Sequence, residues 1–252
     1  MLRRLFTARN VSIPPAEAPA DTRIYVVGDI HGRVDLLYRL HGQILNDVQS
    51  STQNRHVVVY LGDYVDRGEK SKTVIDVFLD EPLDGFETVF LKGNHEEMML
   101  GFLENAAVGA MWLYNGGDAT AYSYGVRMDS PSITDHRYFE MQQALRDKLP
   151  DRHLAFLRDL NLYHIEGGYL FVHAGVQPGI PIENQTSQDL LWIREEFIAS
   201  PADHGHCVVH GHTIFSEPEI RPNRIGIDTG AYFSNVLSCL VLEGTERRII
   251  HT

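Results

Sequence analysis

The sequence predicts an α/β fold, because a short β-branched run, a polar turn and a stretch with helical spacing follow one another three times between residues 24 and 105. In each unit the polar cluster comes directly after the apolar run, where open α/β sheets place their binding sites. The three apolar runs, interpreted as buried strands, are IYVVG at 24–28, HVVVYLG at 56–62 and ETVFLKG at 87–93.

Helical spacing follows each of these runs. After the first strand, apolar residues recur at 36, 37, 40, 44, 45 and 48, which places them on one face of a helix. The equivalent helices are expected at 73–79 and within 98–105.

The second half of the chain predicts further helices and strands. We expect helices around 137–148 and 151–160, the second capped by Asp151, and one more that Ser187 caps and that continues to residue 199. The remaining β-like runs are 169–175, 206–212, 224–230 and 236–244.

Length and composition indicate one folded domain at 23–252, preceded by a tail at 1–22 that we expect to be disordered because prolines interrupt it. The net charge is −12 and the Lys and Arg residues are scattered except near the start, which argues against a nucleic-acid partner. No apolar run approaches the ~20 residues of a membrane span, and the first residues lack the apolar core of a secretory signal. The sequence therefore predicts neither a nucleic-acid nor a membrane partner.

The two cysteines, Cys207 and Cys239, are too few for a disulfide framework. Both lie in β-like runs, so they are interpreted as small buried apolar residues. Free thiols of this kind fit a reducing compartment, and we expect a cytoplasmic protein.

Ligand-type side chains follow five of the predicted strands. Each group contains a glycine, which lets backbone turn sharply or approach closely, together with Asp, Asn or His. Any one of them alone could be an ordinary turn, but together they are mixed oxygen and nitrogen ligands suited to Zn, Mn or Fe. The five groups are GDIHG at 28–32, GDYVDRG at 62–68, GNHE at 93–96, HAG at 173–175 and HGHT at 210–213.

These motifs resemble the signature of the calcineurin-like metallophosphoesterase superfamily, over about residues 24–242. The DRG after GDYV is similar to the phosphoprotein phosphatase branch, in its short bacterial and phage form. The resemblance implies a β-sandwich of two mixed sheets flanked by helices, forming a single catalytic domain. It also implies a serine/threonine phosphoprotein phosphatase that hydrolyses phosphomonoesters by direct attack of a hydroxide held between two metal ions.

The resemblance also implies the residues of a two-metal site. Manganese is the first expectation for the ions, with iron and zinc as alternatives. His210 stays unassigned, because His210 and His212 would face the same side of a strand and either could be a ligand. The implied ligands are Asp29 and His31 for one ion, Asp63 as the bridge, and Asn94, His173 and His212 for the other.

Four further residues are implied to act on the substrate. Arg67 and Arg194 would bind the phosphoryl oxygens through planar, multi-donor guanidinium groups. His95 is the candidate general acid for the departing alkoxide, and Asp66 is the candidate partner that orients it. Arg194 is expected within a helix, where the alternative is an ordinary exposed arginine.

Two other functions stay open, together with one unexplained segment. A diadenosine tetraphosphatase or other small-molecule phosphoesterase of the same superfamily is the main alternative, although that family typically lacks an acid at the position of Asp66. A non-catalytic phosphate-binding scaffold would be expected to have lost a ligand or an arginine.

Residues 112–125, WLYNGGDATAYSYG, are either a substrate-side loop, with Trp112, Tyr114 and Asn115 near the mouth, or a packing segment. The substrate is thus a phosphorylated protein or a small phosphoester, and the sequence predicts no oligomeric state.

Overall fold

The computed structural model describes residues 15–127 and 135–252. Two five-stranded mixed sheets lie within these residues, with helices on their outer faces, so the β-sandwich implied by the resemblance is confirmed. The strands are β1 (Thr22–Val27), β2 (Arg55–Tyr60), β3 (Glu87–Phe90), β4 (Tyr163–Glu166), β5 (Tyr169–Val172), β6 (Cys207–His210), β7 (Glu219–Ile220), β8 (Arg224–Gly226), β9 (Ser238–Glu243) and β10 (Glu246–His251).

The helices of the described residues follow the same chain order. Those predicted after the first three strands are present, and α6 and α7 occupy the segment predicted at 137–160. They are α1 (Val34–Val48), α2 (Ser71–Asp80), α3 (Asn94–Glu104), α4 (Gly109–Tyr114), α5 (Gly117–Ser123), α6 (Asp135–Lys148), α7 (Asp151–Arg158), α8 (Ser187–Trp192), α9 (Glu195–Ile198) and α10 (Ala231–Ser234).

The first sheet has the order β10-β9-β1-β2-β3, and the second has the order β4-β5-β6-β8-β7. Strands β1, β2 and β3 are parallel to one another, as are β5, β6 and β8, while β9, β10, β4 and β7 pair antiparallel with their neighbours. Carboxyl ends of parallel strands meet at one edge, so each sheet gathers its following loops at that edge.

Strand β1 shows why the central strands are apolar on both sides. Ile24 and Val26 pack into the layer between the two sheets, whereas Tyr25 and Val27 pack beneath helices on the outer face. A strand buried on both faces needs a nearly continuous apolar run, which is what the sequence pattern indicated. The result is a rigid four-layer support for the loops that follow the strands.

Two predicted helix caps are wrong by one residue. Thr186, not Ser187, caps α8: its hydroxyl accepts the Asp189 N–H at 3.2 Å, and the Asp189 carboxylate accepts the Thr186 N–H at 2.9 Å. Pro150 occupies the cap position of α7, and Asp151 lies in its first turn.

The helix predicted from Ser187 to residue 199 is interrupted. It ends at Trp192, and α9 begins only at Glu195, so Arg194 is the residue that precedes α9 and not part of a continuous helix. Arg194 has φ −131° and ψ −103°, well away from helical values.

Part of the predicted tail is packed against both sheets. The Ala18 N–H donates to the Gly244 carbonyl at 2.8 Å, and the Tyr169 hydroxyl donates to the Ala16 carbonyl at 3.0 Å. Residues 1–14 lie outside the described residues, so the disorder predicted for them stays a prediction, whereas Ala16 and Ala18, assigned to the tail, are packed against the folded domain. Both cysteines are buried and free, as predicted. In the portion of the chain that is described, no helix is long and apolar enough to cross a membrane.

Candidate active site

The five predicted motifs meet where the strands of both sheets end. All six predicted metal ligands are buried there, none more than 7% exposed. Burying several carboxylates and imidazoles together is unfavourable unless they bind a cation or one another. The structure therefore brings together the complete ligand set predicted from the sequence.

The site loops have an unusual backbone. Seven non-glycine residues of the described chain have positive φ, and five of them belong to the predicted site. Such conformations persist only where the surrounding structure holds them, and they cluster at functional sites. The five are His31 (φ 46°), Asp63 (φ 53°), Asp66 (φ 70°), Arg67 (φ 68°) and His212 (φ 60°).

Asp63 lies at the centre of the cluster. One carboxylate oxygen, Oδ2, lies 3.5 Å from His31 Nε2, and the other, Oδ1, lies 3.4 Å from His173 Nε2. Two groups with metal-ligand spacing share this residue, one with His31 and His95 and the other with His173 and His212. A carboxylate between two groups of donors is the arrangement that a bridging ligand requires.

Two histidines present their Nε2 atoms to the cluster for a clear reason. His31 Nδ1 donates to the Val65 carbonyl at 2.8 Å, and His173 Nδ1 donates to the Leu61 carbonyl at 2.9 Å. A carbonyl can only accept, so the proton lies on Nδ1 and the lone pair of Nε2 points into the site. This outer hydrogen bond is typical of metal-binding histidines.

Two ligand atoms support the fit to metal ions. Asp29 Oδ1 and His31 Nε2 are buried and have no hydrogen-bond partner among the described residues. Buried polar atoms are usually satisfied, so unpaired ligand atoms in this cluster point to a cation partner. The donor set of carboxylate, amide and imidazole suits Mn, Fe or Zn.

Asn94 and His212 complete the second group. Asn94 is the first residue of α3, and its Oδ1 lies 2.9 Å from His173 Nε2 and 2.9 Å from His212 Nδ1. The His212 N–H donates to Asp29 Oδ2 at 3.0 Å, which ties the two groups of ligands together.

The electrostatics of the cluster favour a charged Asp63 beside neutral His31 and His173. Burial alone would raise the pKa of Asp63, but the four surrounding imidazoles lower it below its ordinary value. Burial lowers the pKa of both His31 and His173, so each ring is neutral and able to bind a metal ion. Burial and the charges of Asp228 and Asp63 raise the pKa of Asp29, a repulsion that bound cations would relieve.

His95 and Asp66 form the predicted pair. His95 Nδ1 lies 2.7 Å from Asp66 Oδ2, and both side chains are buried. The other ring nitrogen, Nε2, lies 3.9 Å from Asp63 Oδ2, so it faces the cluster. Although burial lowers the pKa of His95, the charges of Asp63 and Asp66 raise it above its ordinary value.

The two arginines predicted to bind phosphate lie in different loops: Arg67 lies between β2 and α2, and Arg194 lies between α8 and α9. The Arg67 guanidinium lies 4.6 Å from the centre of the Tyr232 ring, and that ring meets His31 edge-on at 5.5 Å. Arg194 is exposed where α8 gives way to α9, and its charge adds to burial in lowering the pKa of His173.

His210 lies outside the ligand groups. Strand β6 ends at His210, and the positive φ of His212 turns its side chain away from the direction a regular strand would give. The His210 ring packs edge-on against Phe197 at 5.1 Å, and its Nδ1 donates to the Gly211 carbonyl at 3.1 Å. The expectation that both histidines share one face is therefore wrong.

Sequence reasoning missed two acidic residues of the site. The Glu96 carboxylate accepts the backbone N–H groups of Asp63 at 2.9 Å and Tyr64 at 2.8 Å, and so holds the loop after β2. Burial and the charge of Asp63 raise the pKa of Glu96 to about 7. Burial also raises the pKa of Asp228, near Asp29, to about 6. Asp228 follows β8 closely, so the pattern of strand ends could have found it.

The segment 112–125 is helical and packs beneath the site. Trp112 is fully buried, and its indole N–H donates to both Asp66 carboxylate oxygens at 3.1 and 3.0 Å. Tyr114 is 91% exposed, and Asn115 donates its side-chain N–H to the Met111 carbonyl at 2.8 Å. Of the two alternatives for this segment, a substrate-side loop or a packing segment, the second is the one that describes Trp112.

Comparisons with known proteins show what the chain is similar to in sequence and fold. A family model described as calcineurin-like phosphoesterase matches residues 22–232. The chain is 31% identical over 225 residues to serine/threonine-protein phosphatase 2 of Escherichia coli K12, across 85% of this chain and 90% of that protein. It is 26% identical over 234 residues to an asymmetrical bis(5'-nucleosyl)-tetraphosphatase of Oceanobacillus iheyensis, across 86% and 87%. A crystal structure of a cold-active protein tyrosine phosphatase has the same fold, with a TM-score of 0.56 at 16% identity over 92% of this chain and 81% of that one.

Proposed function

Because the chain belongs to the calcineurin-like phosphoesterase family, we propose that it is a metal-dependent serine/threonine phosphoprotein phosphatase that hydrolyses phosphomonoesters. The observation that carries the proposal is the buried Asp66–His95 pair beside the ligand cluster, with 2.7 Å between Asp66 Oδ2 and His95 Nδ1. A serine or threonine alkoxide is a poor leaving group and needs a proton as it departs. His95 Nε2 faces the cluster and can supply that proton.

Two divalent cations, with manganese the first candidate, would lower the pKa of a bound water and neutralise phosphoryl charge. In our assignment Asp29 and His31 would hold one ion, Asn94, His173 and His212 would hold the other, and Asp63 would be shared by both. Arg67 and Arg194 would orient the phosphoryl group. The Arg67 guanidinium packs on the Tyr232 ring, 4.6 Å from its centre.

A tetraphosphatase acting on a phosphoanhydride is the second candidate, because the Oceanobacillus relative carries that name. An anhydride releases a phosphate, which needs protonation less than an alkoxide does, so it draws less benefit from the Asp66–His95 pair. A non-catalytic scaffold is disfavoured by the complete ligand set. The two free buried thiols support our proposal of a cytoplasmic location.

Substrate class is tested by comparing kcat/KM for phosphoserine, phosphothreonine and phosphotyrosine peptides with diadenosine tetraphosphate and cyclic nucleotides. We expect the phosphoserine and phosphothreonine peptides to be turned over best. Faster turnover of diadenosine tetraphosphate would make the anhydride hydrolase the correct assignment.

Metal removal is expected to abolish hydrolysis of 4-nitrophenyl phosphate. Chelated protein, checked by elemental analysis, should regain activity with Mn²⁺, because the unpaired ligand atoms Asp29 Oδ1 and His31 Nε2 need a cation partner. Full activity in protein shown to be free of metal would exclude the proposed chemistry.

Substituting either phosphate-binding arginine should weaken binding without removing metal. For Arg67→Ala and Arg194→Ala we expect KM and the inhibition constant of inorganic phosphate to rise about 10- to 100-fold, the loss of one charge-assisted contact. Arg39→Ala, at an exposed position on α1, is the matched control. If Arg194→Ala keeps both kinetic constants, the second phosphate ligand lies elsewhere.

A further inference from the structure

The Asp66 carboxylate accepts hydrogen bonds from two side chains besides His95. The Thr120 hydroxyl donates to Oδ1 at 2.7 Å, and the Trp112 indole N–H lies 3.1 Å from Oδ1 and 3.0 Å from Oδ2. Asp66, Trp112 and Thr120 are each fully buried. The proposed chemistry assigns no role to the last two.

These donors restrict how the carboxylate can rotate. The terminal torsion of an aspartate is intrinsically broad, so one bond to His95 would not fix the plane of the group. With donors at both oxygens, Oδ2 is kept 2.7 Å from His95 Nδ1, and the ring keeps Nε2 towards the cluster. The indole is itself held by stacking on Phe102, with ring centres 4.8 Å apart and planes 28° apart.

The same segment also holds the strained backbone next to the carboxylate. Thr120 Oγ1 accepts the Asp66 N–H at 2.7 Å, and the Gly116 carbonyl accepts the Arg67 N–H at 3.0 Å. Asp66 and Arg67 both have left-handed φ, at 70° and 68°, which costs free energy unless neighbouring groups compensate. A Cβ on Gly116 would lie 2.8 Å from the Arg67 nitrogen, so a glycine is needed for this approach.

We propose that Trp112 and Thr120 are positioning residues, which hold the Asp66 carboxylate so that His95 directs Nε2 at the leaving group. This inference rests on the proposed function, because it takes His95 as the proton donor. It gives Trp112 and Thr120 a defined role: both act on catalysis through Asp66, without touching substrate.

The test uses the Mn²⁺-loaded full chain and two substrates that differ in leaving group. Thr120→Val and Trp112→Phe should each lower kcat for a phosphoserine peptide about 10- to 100-fold, because each removes a hydrogen bond to the charged carboxylate. Thr120→Val also removes the acceptor of the Asp66 N–H. With 4-nitrophenyl phosphate, whose phenolate departs without a proton, the loss should be clearly smaller. KM and metal content should not change. Thr120→Ser keeps the hydroxyl and should restore the peptide rate, which a purely structural role of the methyl group would not predict.

A double-mutant cycle isolates the route through Asp66. In an Asp66→Asn background, Thr120→Val should cause a clearly smaller further loss on the peptide, because the carboxylate it positions is already gone and only its contact with the backbone N–H remains. Losses that multiply, or that are equal on both substrates, would overturn the inference. Thr120→Val is nearly isosteric, so it keeps the test valid if Trp112→Phe lowers the melting temperature.

The kinetics of His95→Asn distinguish an error in the proposed function from an error in this inference. If His95→Asn shows no dependence on the leaving group, His95 is not the proton donor and the premise is wrong. If His95→Asn shows that dependence while Thr120→Val and Trp112→Phe match the unmodified protein, only the positioning role is excluded.

Discussion

Replacing His95 with asparagine should lower kcat for a phosphoserine peptide by about 10²–10⁴-fold, the range expected for a lost general acid. The loss with 4-nitrophenyl phosphate should be much smaller, because a nitrophenolate leaves without protonation. The physical basis is the 2.7 Å contact between His95 Nδ1 and Asp66 Oδ2, which leaves Nε2 facing the ligand cluster. Steady-state kinetics on both substrates measure the difference.

Asp66→Asn should also lower kcat more for the phosphoserine peptide than for 4-nitrophenyl phosphate, but both losses should be smaller than with His95→Asn. The reason is that Asp66→Asn removes the orienting charge and keeps the imidazole. Metal content should stay unchanged in both variants, and His136→Asn, at an exposed histidine, is the matched control. Equal losses on good and poor leaving groups would mean that His95 only positions phosphate. Loss of metal would instead indicate that His95 is a metal ligand, which its location beside His31 and Asp63 would allow.

Asp63→Asn should be the most damaging change among the ligands, with a loss of about 10²–10³-fold or more in kcat and a loss of bound metal. Asp63 alone belongs to both ligand groups, and its two oxygens lie 3.5 and 3.4 Å from histidines on opposite sides. An amide in its place carries no negative charge, so both cations would lose their shared counter-charge.

Elemental analysis and activity of the same preparation test this expectation. Asp84→Asn, at an exposed carboxylate between α2 and β3, is the matched control. A variant of Asp63 that keeps both ions and normal turnover would show that the bridging ligand has been assigned to the wrong residue.

The meeting of the five motifs could be predicted because it follows from sheet topology, whereas the assignment of individual ligands was implied only by the resemblance. Once the apolar runs are recognised as parallel strands, their carboxyl ends must converge, and the residues that follow them must meet. Asp29, Asp63 and Asn94 follow neighbouring strands of the first sheet, and His173 follows β5 of the second. That the two sheets face each other was implied only by the resemblance, because a strand–helix pattern does not distinguish a sandwich from a single wound sheet.

The parts that could not be predicted depend on tertiary contacts. The Glu96 carboxylate reaches back to the loop after β2, and Trp112 reaches an aspartate 46 residues earlier in the chain. Neither contact leaves a periodic signal in the sequence. The edge strands β4, β7 and β10 were missed because they are half-exposed and carry charged residues. The break before Arg194 was missed because the apolar spacing runs through it.

The left-handed backbone at five site residues implies a conflict between stability and activity. Each such residue costs about 1–2 kcal/mol relative to relaxed backbone, and glycine would remove most of that cost. Glycine would also remove the carboxylate, imidazole or guanidinium that the proposed chemistry requires. The total approaches the net stability of about 5–15 kcal/mol that a typical domain retains. Selection for thermal resistance alone would therefore tend to erode this site, and stabilising substitutions are better sought in the sandwich core and outer helices than in the loops after the strands.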